Sequence, residues 1–363
     1  MNILFVSDLA GMGGGEVSLL HIMEYLSKEN SVYLLCRVPG SLVQKSQEKG
    51  IKVFCYDFKK NLVQSYWSFR KLIKENRIDV VHNNELTTAI LHGVFAKFVN
   101  RNVKNFCTCH GQWYKLSWIK RILIQKYIRH IFCVSAAVEE NLRRQNIVET
   151  SVSYLGVPER KFCVQEYRKK NLKNELGLND TQVVVSTIGR FQKIKGQLKG
   201  VQTIKNIHSE FPDIVYFLIG DNVFASEEDE KYKKKVIDYI RVNNMEKYVK
   251  LLGEREDIPE LMAISDYVMI TSDNESFGMV AIETIASGKI LISTPCDGVL
   301  EILENDSNMI SKTNDVVGLT EVIKQMLYDI EVRNKSIKKI ESLKKKFTVT
   351  RVCEKYLYEY EKM

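Results

Sequence analysis

Residues 267–293 contain Tyr267-Val-Met-Ile-Thr271, then Glu275-Ser-Phe-Gly-Met-Val-Ala-Ile-Glu283, then Ile290-Leu-Ile-Ser293. The outer runs are short and apolar, the pattern of strands buried on both faces. Between them, Val280 to Glu283 carries a helical pattern, so the stretch predicts strand, helix, strand. Units of that kind join parallel strands and lay a helix on the sheet. Glu275 and Glu283 stand eight residues apart, a little over two helical turns, one in the loop and one inside the helix. Acids so spaced can project along one side and hold a ligand with a hydroxyl-rich middle and a charged end. The competing reading is a pair of solvated helix acids.

The same alternation extends in both directions. Strands are predicted at Ile3–Ser7, Val32–Cys36, Val53–Tyr56, Val80–His82, Phe106–Cys109, Ile131–Val134 and Val152–Tyr154. A second series covers Val183–Ile188, Val215–Ile219, Val249–Leu252, Tyr267–Thr271 and Ile290–Ser293. Helical spacing fills Glu16–Leu26, Trp67–Lys74, Ala89–Phe98 and Ala136–Leu142. The expectation is an α/β chain of two Rossmann-like, doubly wound parallel-sheet domains facing a central cleft, with the ligand at the strands' carboxyl ends. The polar stretch Glu166–Asn174 marks the boundary, giving domains 1–165 and 166–347. A last helix over about 348–363, with Tyr356, Leu357 and Tyr360 on one side, packs back on the first domain.

At 363 residues the chain suits two domains, and 45% hydrophobic with 27% charged residues is a globular composition. No apolar run approaches the roughly 20 residues of a spanning helix, and Met1–Ser7 lacks the basic segment and cleavage site of a signal peptide. Most of the eight cysteines lie in or beside strand-like runs, and Cys107 and Cys109 have no second pair to complete a zinc site. A reduced, cytoplasmic setting follows. The net charge of +8 favours an anionic partner: a phosphorylated substrate, a lipid head group or, last because no nucleic-acid signature is present, nucleic acid.

Three clusters carry candidate chemistry. Gly11-Met12-Gly13-Gly14-Gly15-Glu16 follows the first strand and opens a helix, where backbone N–H groups can meet an anion. Its spacing is neither G-x-G-x-x-G nor a P-loop, and a ligand-free glycine turn is the alternative. Gly189-Arg190 and Lys195-Gly196 close the first strand of the second domain, placing a planar fork and a point charge where both can grip a diphosphate. The alternative is a solvated basic loop. His110 ends a first-domain strand, and His82 has a weaker claim of the same kind; lone histidines are more often structural.

In order and spacing these pieces resemble the nucleotide-sugar glycosyltransferases of family 4, retaining enzymes of GT-B architecture. The likeness covers nearly the whole chain: Gly13 to Glu16, His110, Val134-Ser135, Gly156-Val157, Gly189-Arg190 with Lys195-Gly196, Gly220-Asp221, Glu275 to Gly278, Glu283, Ala286-Ser-Gly288 and Gly298 to Glu301. The resemblance implies an acceptor-side first domain and a donor-binding second domain. It implies Arg190 and Lys195 on the donor diphosphate, beside Gly189. Gly14 and Gly15 would approach phosphate or sugar from the opposite domain. Glu275 would contact the transferred sugar, with the N–H groups of Phe277, Gly278 and Met279 near sugar or phosphate. Glu283 would bind ribose hydroxyls and His110 the sugar near its reacting carbon. No cofactor or metal is implied, the cations and helix N-termini supplying the positive charge. Three features depart from the family: Gly-Gln-Trp follows His110 where many relatives have an acid; Lys289-Ile290 replaces the usual proline; and residues 223–235 form an acidic then basic block, expected as a solvated loop and helix start.

Trp113 to Tyr127 interleaves aromatics, aliphatics and cations close after His110. Such a segment suits either an anionic membrane surface or an ordinary amphipathic helix packed on the sheet. The functional expectation is sugar transfer from a nucleotide diphosphate sugar, UDP-sugars first, to a saccharide or lipid-linked saccharide acceptor in cell-surface glycan synthesis. Its competitors are an epimerase on the same architecture and an inactive nucleotide-sugar-binding protein.

Overall fold

The computed structural model describes residues 1–111, 115–222 and 226–362 and divides the chain into two α/β units. The first comprises residues 1–157 together with the segment from 348 onward, and the second Pro158–Phe347. The division falls at Val157/Pro158, ahead of the polar stretch 166–174. That stretch is itself a helix of the second unit, Glu166–Glu175, with Leu172 its single buried residue.

In the first unit the strands are β1 (Asn2–Ser7), β2 (Ser31–Cys36), β3 (Lys52–Cys55), β4 (Val80–Asn83), β5 (Lys104–Cys109), β6 (His130–Cys133) and β7 (Thr150–Val152). They lie in the order β3-β2-β1-β4-β5-β6-β7, every ladder parallel. In the second unit β8 (Val183–Ile188), β9 (Ile214–Ile219), β10 (Val249–Gly253), β11 (Tyr267–Ile270) and β12 (Ile290–Ser293) form a parallel sheet ordered β10-β9-β8-β11-β12. The strand order reverses between β1 and β4 in one sheet and between β8 and β11 in the other. At such switch points the connections leave toward opposite faces and open a crevice at the strands' carboxyl ends.

Helices cover both faces of the first sheet. Helix Gly14–Leu26 and the last helix, Val349–Glu361, share a core with Ile3, Phe5 and Phe106, into which Val352, Tyr356 and Tyr360 are fully sunk. On the opposite face Phe69, Leu72 and Ile73 of helix Leu62–Glu75 and Phe95 of helix Leu86–Val99 pack on Leu4, Val6 and Val81. Beneath the last helix, His82 is hydrogen-bonded to Tyr360 Oη through Nδ1 and to Thr108 Oγ1 (2.7 Å) through Nε2, and Thr108 to Tyr356 Oη (2.6 Å). His82 is 1% exposed, and burial lowers its pKa to about 3. It is therefore a neutral tie for the last helix, and its claim to the ligand crevice falls.

Candidate active site

The second unit's switch point is built by two loops. After β8 the chain passes Gly189 and the half-buried Arg190, makes a 3-10 turn at Lys193–Lys195 and starts helix Gln197–His208 at Gly196. After β11 it runs through Thr271 to Gly278 and starts helix Met279–Ala286. The two loops are stitched together: Asp273 N–H donates to Ile194 O (2.7 Å) and Thr271 Oγ1 to Lys195 O (2.7 Å). Gly196 makes the approach feasible, since its φ of +64° suits glycine and a Cβ there would stand 2.1 Å from Thr271 O.

Across this seam Lys195 Nζ donates to Glu275 Oε1 at 2.6 Å, and Ser272 Oγ donates to the same oxygen at 2.8 Å. Both partners remain partly open, their side chains 27% and 16% exposed. A cation and a carboxylate paired at the rim of a crevice are oriented yet exchangeable: an incoming phosphate competes for the ammonium and a sugar hydroxyl for the carboxylate.

Glu275 and Glu283 do not share a helical face. Gly278, at φ +106°, caps the helix, so Glu275 stays in the loop, aimed by Lys195 and Ser272, and only Glu283 rides the helix. The helix opens with Met279, and its first turn closes where Ala281 N–H donates to Gly278 O (3.0 Å). Phe277 is buried beside it and anchors the turn, with Gly298 N–H donating to Glu275 O (3.0 Å). Glu283 is only partly exposed, and burial raises its carboxyl to about 7 against a small opposing pull from Lys161.

The first unit's switch point gathers the other group. Helix Gly14–Leu26 begins just beyond β1, its entry fixed by Gly13 N–H donating to the Glu16 carboxylate (3.1 Å). His110, at the end of β5, presents its Nδ1–Cε1–Nε2 edge to Gly15, where a Cβ would lie 3.3 Å from the ring. His110 Nε2 is hydrogen-bonded to Asn84 Oδ1 at 2.8 Å, and Asn84, at the end of β4, is 4% exposed with its N–H on Val6 O. An amide oxygen can only accept, so Nε2 carries the hydrogen and Nδ1 is the ring's acceptor. Burial lowers the His110 pKa to about 4, which keeps the ring neutral. Alongside, Glu85 accepts from Asp8 N–H (3.2 Å) and Thr88 Oγ1 (3.2 Å), and burial lifts its carboxyl to about 7.

Asn84, Glu85, Ser272 and Thr271 are the residues that sequence reading missed. All four follow β4 or β11 at the carboxyl end, so strand-end position was the available signal. Gln112 and Trp113, where the sequence departs from family 4 after His110, lie outside the described residues, as do residues 223–225 of the acidic block. The rest of that block enters helix Glu227–Val242, capped by Ser226. Among the described residues no group of three or more His, Cys, Asp or Glu is placed to hold a metal ion. A shallow pocket of about 340 Å³, lined by Gln182, His208, Ile214 and Tyr248, sits at the opposite end of the second sheet, away from these groups.

Family comparison matches this layout half by half. A profile described as Glycosyltransferase Family 4 covers residues 12–161, and one described as Glycosyl transferases group 1 covers residues 168–342. The chain is built of two glycosyltransferase-family domains. Over 325 residues this glycosyltransferase is 24% identical to the UDP-Gal:alpha-D-GlcNAc-diphosphoundecaprenol alpha-1,3-galactosyltransferase of Escherichia coli, spanning 84% of this chain and 82% of that one. Over 188 residues it is 28% identical to the N-acetyl-alpha-D-glucosaminyl L-malate synthase of Bacillus anthracis, spanning 51% of this chain and 47% of that enzyme. Among solved structures, Anabaena Alr3699/HepE in complex with UDP is 21% identical and covers 99% of each chain at a TM-score of 0.85. The glycosyltransferase therefore has the GT-B fold, its two sheets of seven and five parallel strands.

Proposed function

We propose that this glycosyltransferase is a retaining enzyme. It transfers a sugar from a nucleotide diphosphate sugar, UDP-sugars favoured, to a saccharide or lipid-linked saccharide acceptor in cell-surface glycan synthesis. One observation carries the reading: the Lys195–Glu275 pair set at 2.6 Å across the second sheet's switch point. A cation for the diphosphate and a carboxylate for the sugar stand there side by side, on loops stitched together. The UDP and UDP-glucose complexes of Anabaena HepE and the lipid-diphosphate acceptor named for the Escherichia coli relative support the choice of donor and acceptor.

In this reading Arg190 and Lys195 hold the diphosphate, which Gly189 lets approach the backbone. Glu275 accepts from sugar hydroxyls, and the N–H groups of Phe277, Gly278 and Met279 face sugar or phosphate. Glu283 takes the ribose hydroxyls. Gly14, Gly15 and His110 meet the sugar, His110 through its Nδ1 lone pair. As the bond from the anomeric carbon to the phosphate oxygen breaks, its electron pair passes to the diphosphate, and the two cations stabilise the growing charge. The acceptor oxygen bonds to the same face of that carbon, and its proton goes to the departing phosphate oxygen.

Peripheral attachment to the inner face of the cell membrane belongs to the same proposal. Of helix Trp118–Tyr127 only Ile124 is buried, while Trp118, Ile119 and Ile122 are half or more exposed beside Lys120 and Arg121. Trp113 and Tyr114 of the same segment lie outside the described residues. No helix of the described residues is long and apolar enough to cross a membrane.

Purified protein offered UDP-sugars, with transfer or donor hydrolysis as readout, tests the chemistry. Arg190→Ala and Lys195→Ala are each expected to lower kcat/KM about 100-fold or more at an unchanged melting temperature. Wild-type turnover in either variant removes that residue from the site.

A further inference from the structure

We infer that the membrane contact is a face of three helices rather than one helix, with Leu62, Val63 and Trp67 as a second anchor on an anionic bilayer. The inference rests on the membrane attachment proposed above and extends it. Leu62, Val63 and Trp67 are 57%, 70% and 56% exposed, whereas Ser65, Phe69, Leu72 and Ile73 of the same helix face the core. Helix Leu62–Glu75 packs beside Leu86–Val99, which packs beside Trp118–Tyr127. Gly93 brings the last two together, since a Cβ there would stand 2.6 Å from Tyr127 O. The outer two helices follow β3 and β5, so each begins at the carboxyl end of the sheet. Their exposed apolar residues occupy the first two turns of each and therefore lie at the same end. With neighbouring helices 8–10 Å apart, the two patches stand about 20 Å from each other.

Charge identifies the partner. Residues 59–75, 86–99 and 115–129 hold eleven Lys and Arg and one acid, Glu75, a net +10, against +8 for the whole chain. Of the eleven, Lys60, Lys115, Lys120 and Arg121 lie at or just before the first turns, the end that carries the exposed apolar residues. Lys71, Lys74, Lys97, Lys126 and Arg129 lie toward the far end, and Lys59 is paired with Asp8. Aliphatic and tryptophan side chains beside long cations match a bilayer interface, where the rings enter the head-group layer and the ammonium groups reach lipid phosphates. Arg70 already lies over the Trp67 ring, 5.1 Å from its centroid. A second copy of this chain would set like charge against like, and a nucleic-acid partner would leave Leu62, Val63, Ile119 and Ile122 without purpose. Two patches about 20 Å apart across an intervening helix suit a flat lipid surface better than a peptide.

Flotation with phosphatidylcholine vesicles, with and without phosphatidylglycerol, tests this on the full chain. Trp113→Phe with Trp118→Phe leaves Trp67 as the sole tryptophan. Its emission is expected to shift blue and to be quenched by lipids brominated in the acyl chain, only when phosphatidylglycerol is present. Leu62→Ser, Val63→Ser and Trp67→Ser combined are expected to weaken vesicle binding about tenfold while UDP binding is unchanged. If the chain floats but Trp67 is unquenched, the second anchor is wrong and the one-helix attachment stands. If the wild-type chain fails to float at low salt, both are wrong.

Discussion

His110 is held in one protonation state by its neighbours: Asn84 Oδ1 takes the Nε2 hydrogen at 2.8 Å, and burial keeps the ring neutral down to about pH 4. A ring fixed in this way offers Nδ1 as an acceptor throughout the physiological range. Asn84→Asp keeps the acceptor but adds a negative charge, which favours the imidazolium and turns Nδ1 into a donor. The kcat/KM of that variant is expected to fall more steeply than wild type below the ordinary histidine value of 6.5, beyond any change that the raised Glu283 carboxyl gives to both. Superimposable pH profiles would show that the amide does not control the ring. Full activity in His110→Ala would instead remove the histidine from the reaction. At this scale the sequence named Gly15 and His110, and Lys195 and Glu275, but could not pair them. Lys195 and Glu275 are 80 residues apart and meet only because β8 and β11 are neighbours in the sheet. Asn84 carried no signal beyond its place after β4.

The strands were legible as elements because a parallel strand covered on both faces must be apolar throughout. Val183–Ile188 and Ile290–Ser293 coincide with their predicted bounds, and the others shift by a residue or two. The sequence puts Glu275 in a loop and Glu283 in a helix, and both lie there, because Gly278 at φ +106° starts the helix between them. Helix Glu166–Glu175 was missed because one buried leucine gives no periodicity to detect. The seam between the β8 and β11 loops depends on Gly196. Gly196→Ala combines a left-handed backbone with a Cβ driven into Thr271 O, and is expected to cost about 2–4 kcal/mol. Thermal melts should show this drop, together with weaker UDP binding as the Lys195 turn is displaced. An unchanged melt would mean that the two loops separate without cost.

For the whole molecule, acid is the expected weakness. His82, His92 and His110, all in the first unit, are lowered by burial to about 3, 4 and 4. Each contributes stability that is complete above the ordinary value of 6.5 and is lost as pH falls through the folded value. Glu85, raised to about 7, has the opposite sign: its contribution is complete below about 4.5 and is lost as pH rises through 7. Glu283, also raised to about 7, acts as Glu85 does, and between 6.5 and 4.5 these carboxyls partly offset the histidines. Below 4.5 the histidine loss, on the order of a few kcal/mol in sum, is joined by that of Glu304, which Lys339 and Lys346 hold down at about 2. The melting temperature should therefore fall most steeply below pH 4.5, and His82→Phe should flatten that limb. An acid limb identical in the variant would place the sensitivity elsewhere. The two-sheet design was legible at this scale from the alternation of strand and helix alone. The gathering of basic residues on three neighbouring helices was not, because it depends on which helices lie side by side.

The chain leaves the first unit at Val157 and re-enters it at Thr348, and those two residues are bridged in parallel, with Val349 N–H on Val157 O at 3.1 Å. The second unit is thus a guest threaded into its host through a doorway one strand-spacing wide. Truncation at residue 157 would strip the host of Tyr356 and Tyr360, but excising 158–347 and closing the gap with a short glycine link would keep them. Swapping that cassette between relatives would exchange one lobe while the other keeps its native termini and core.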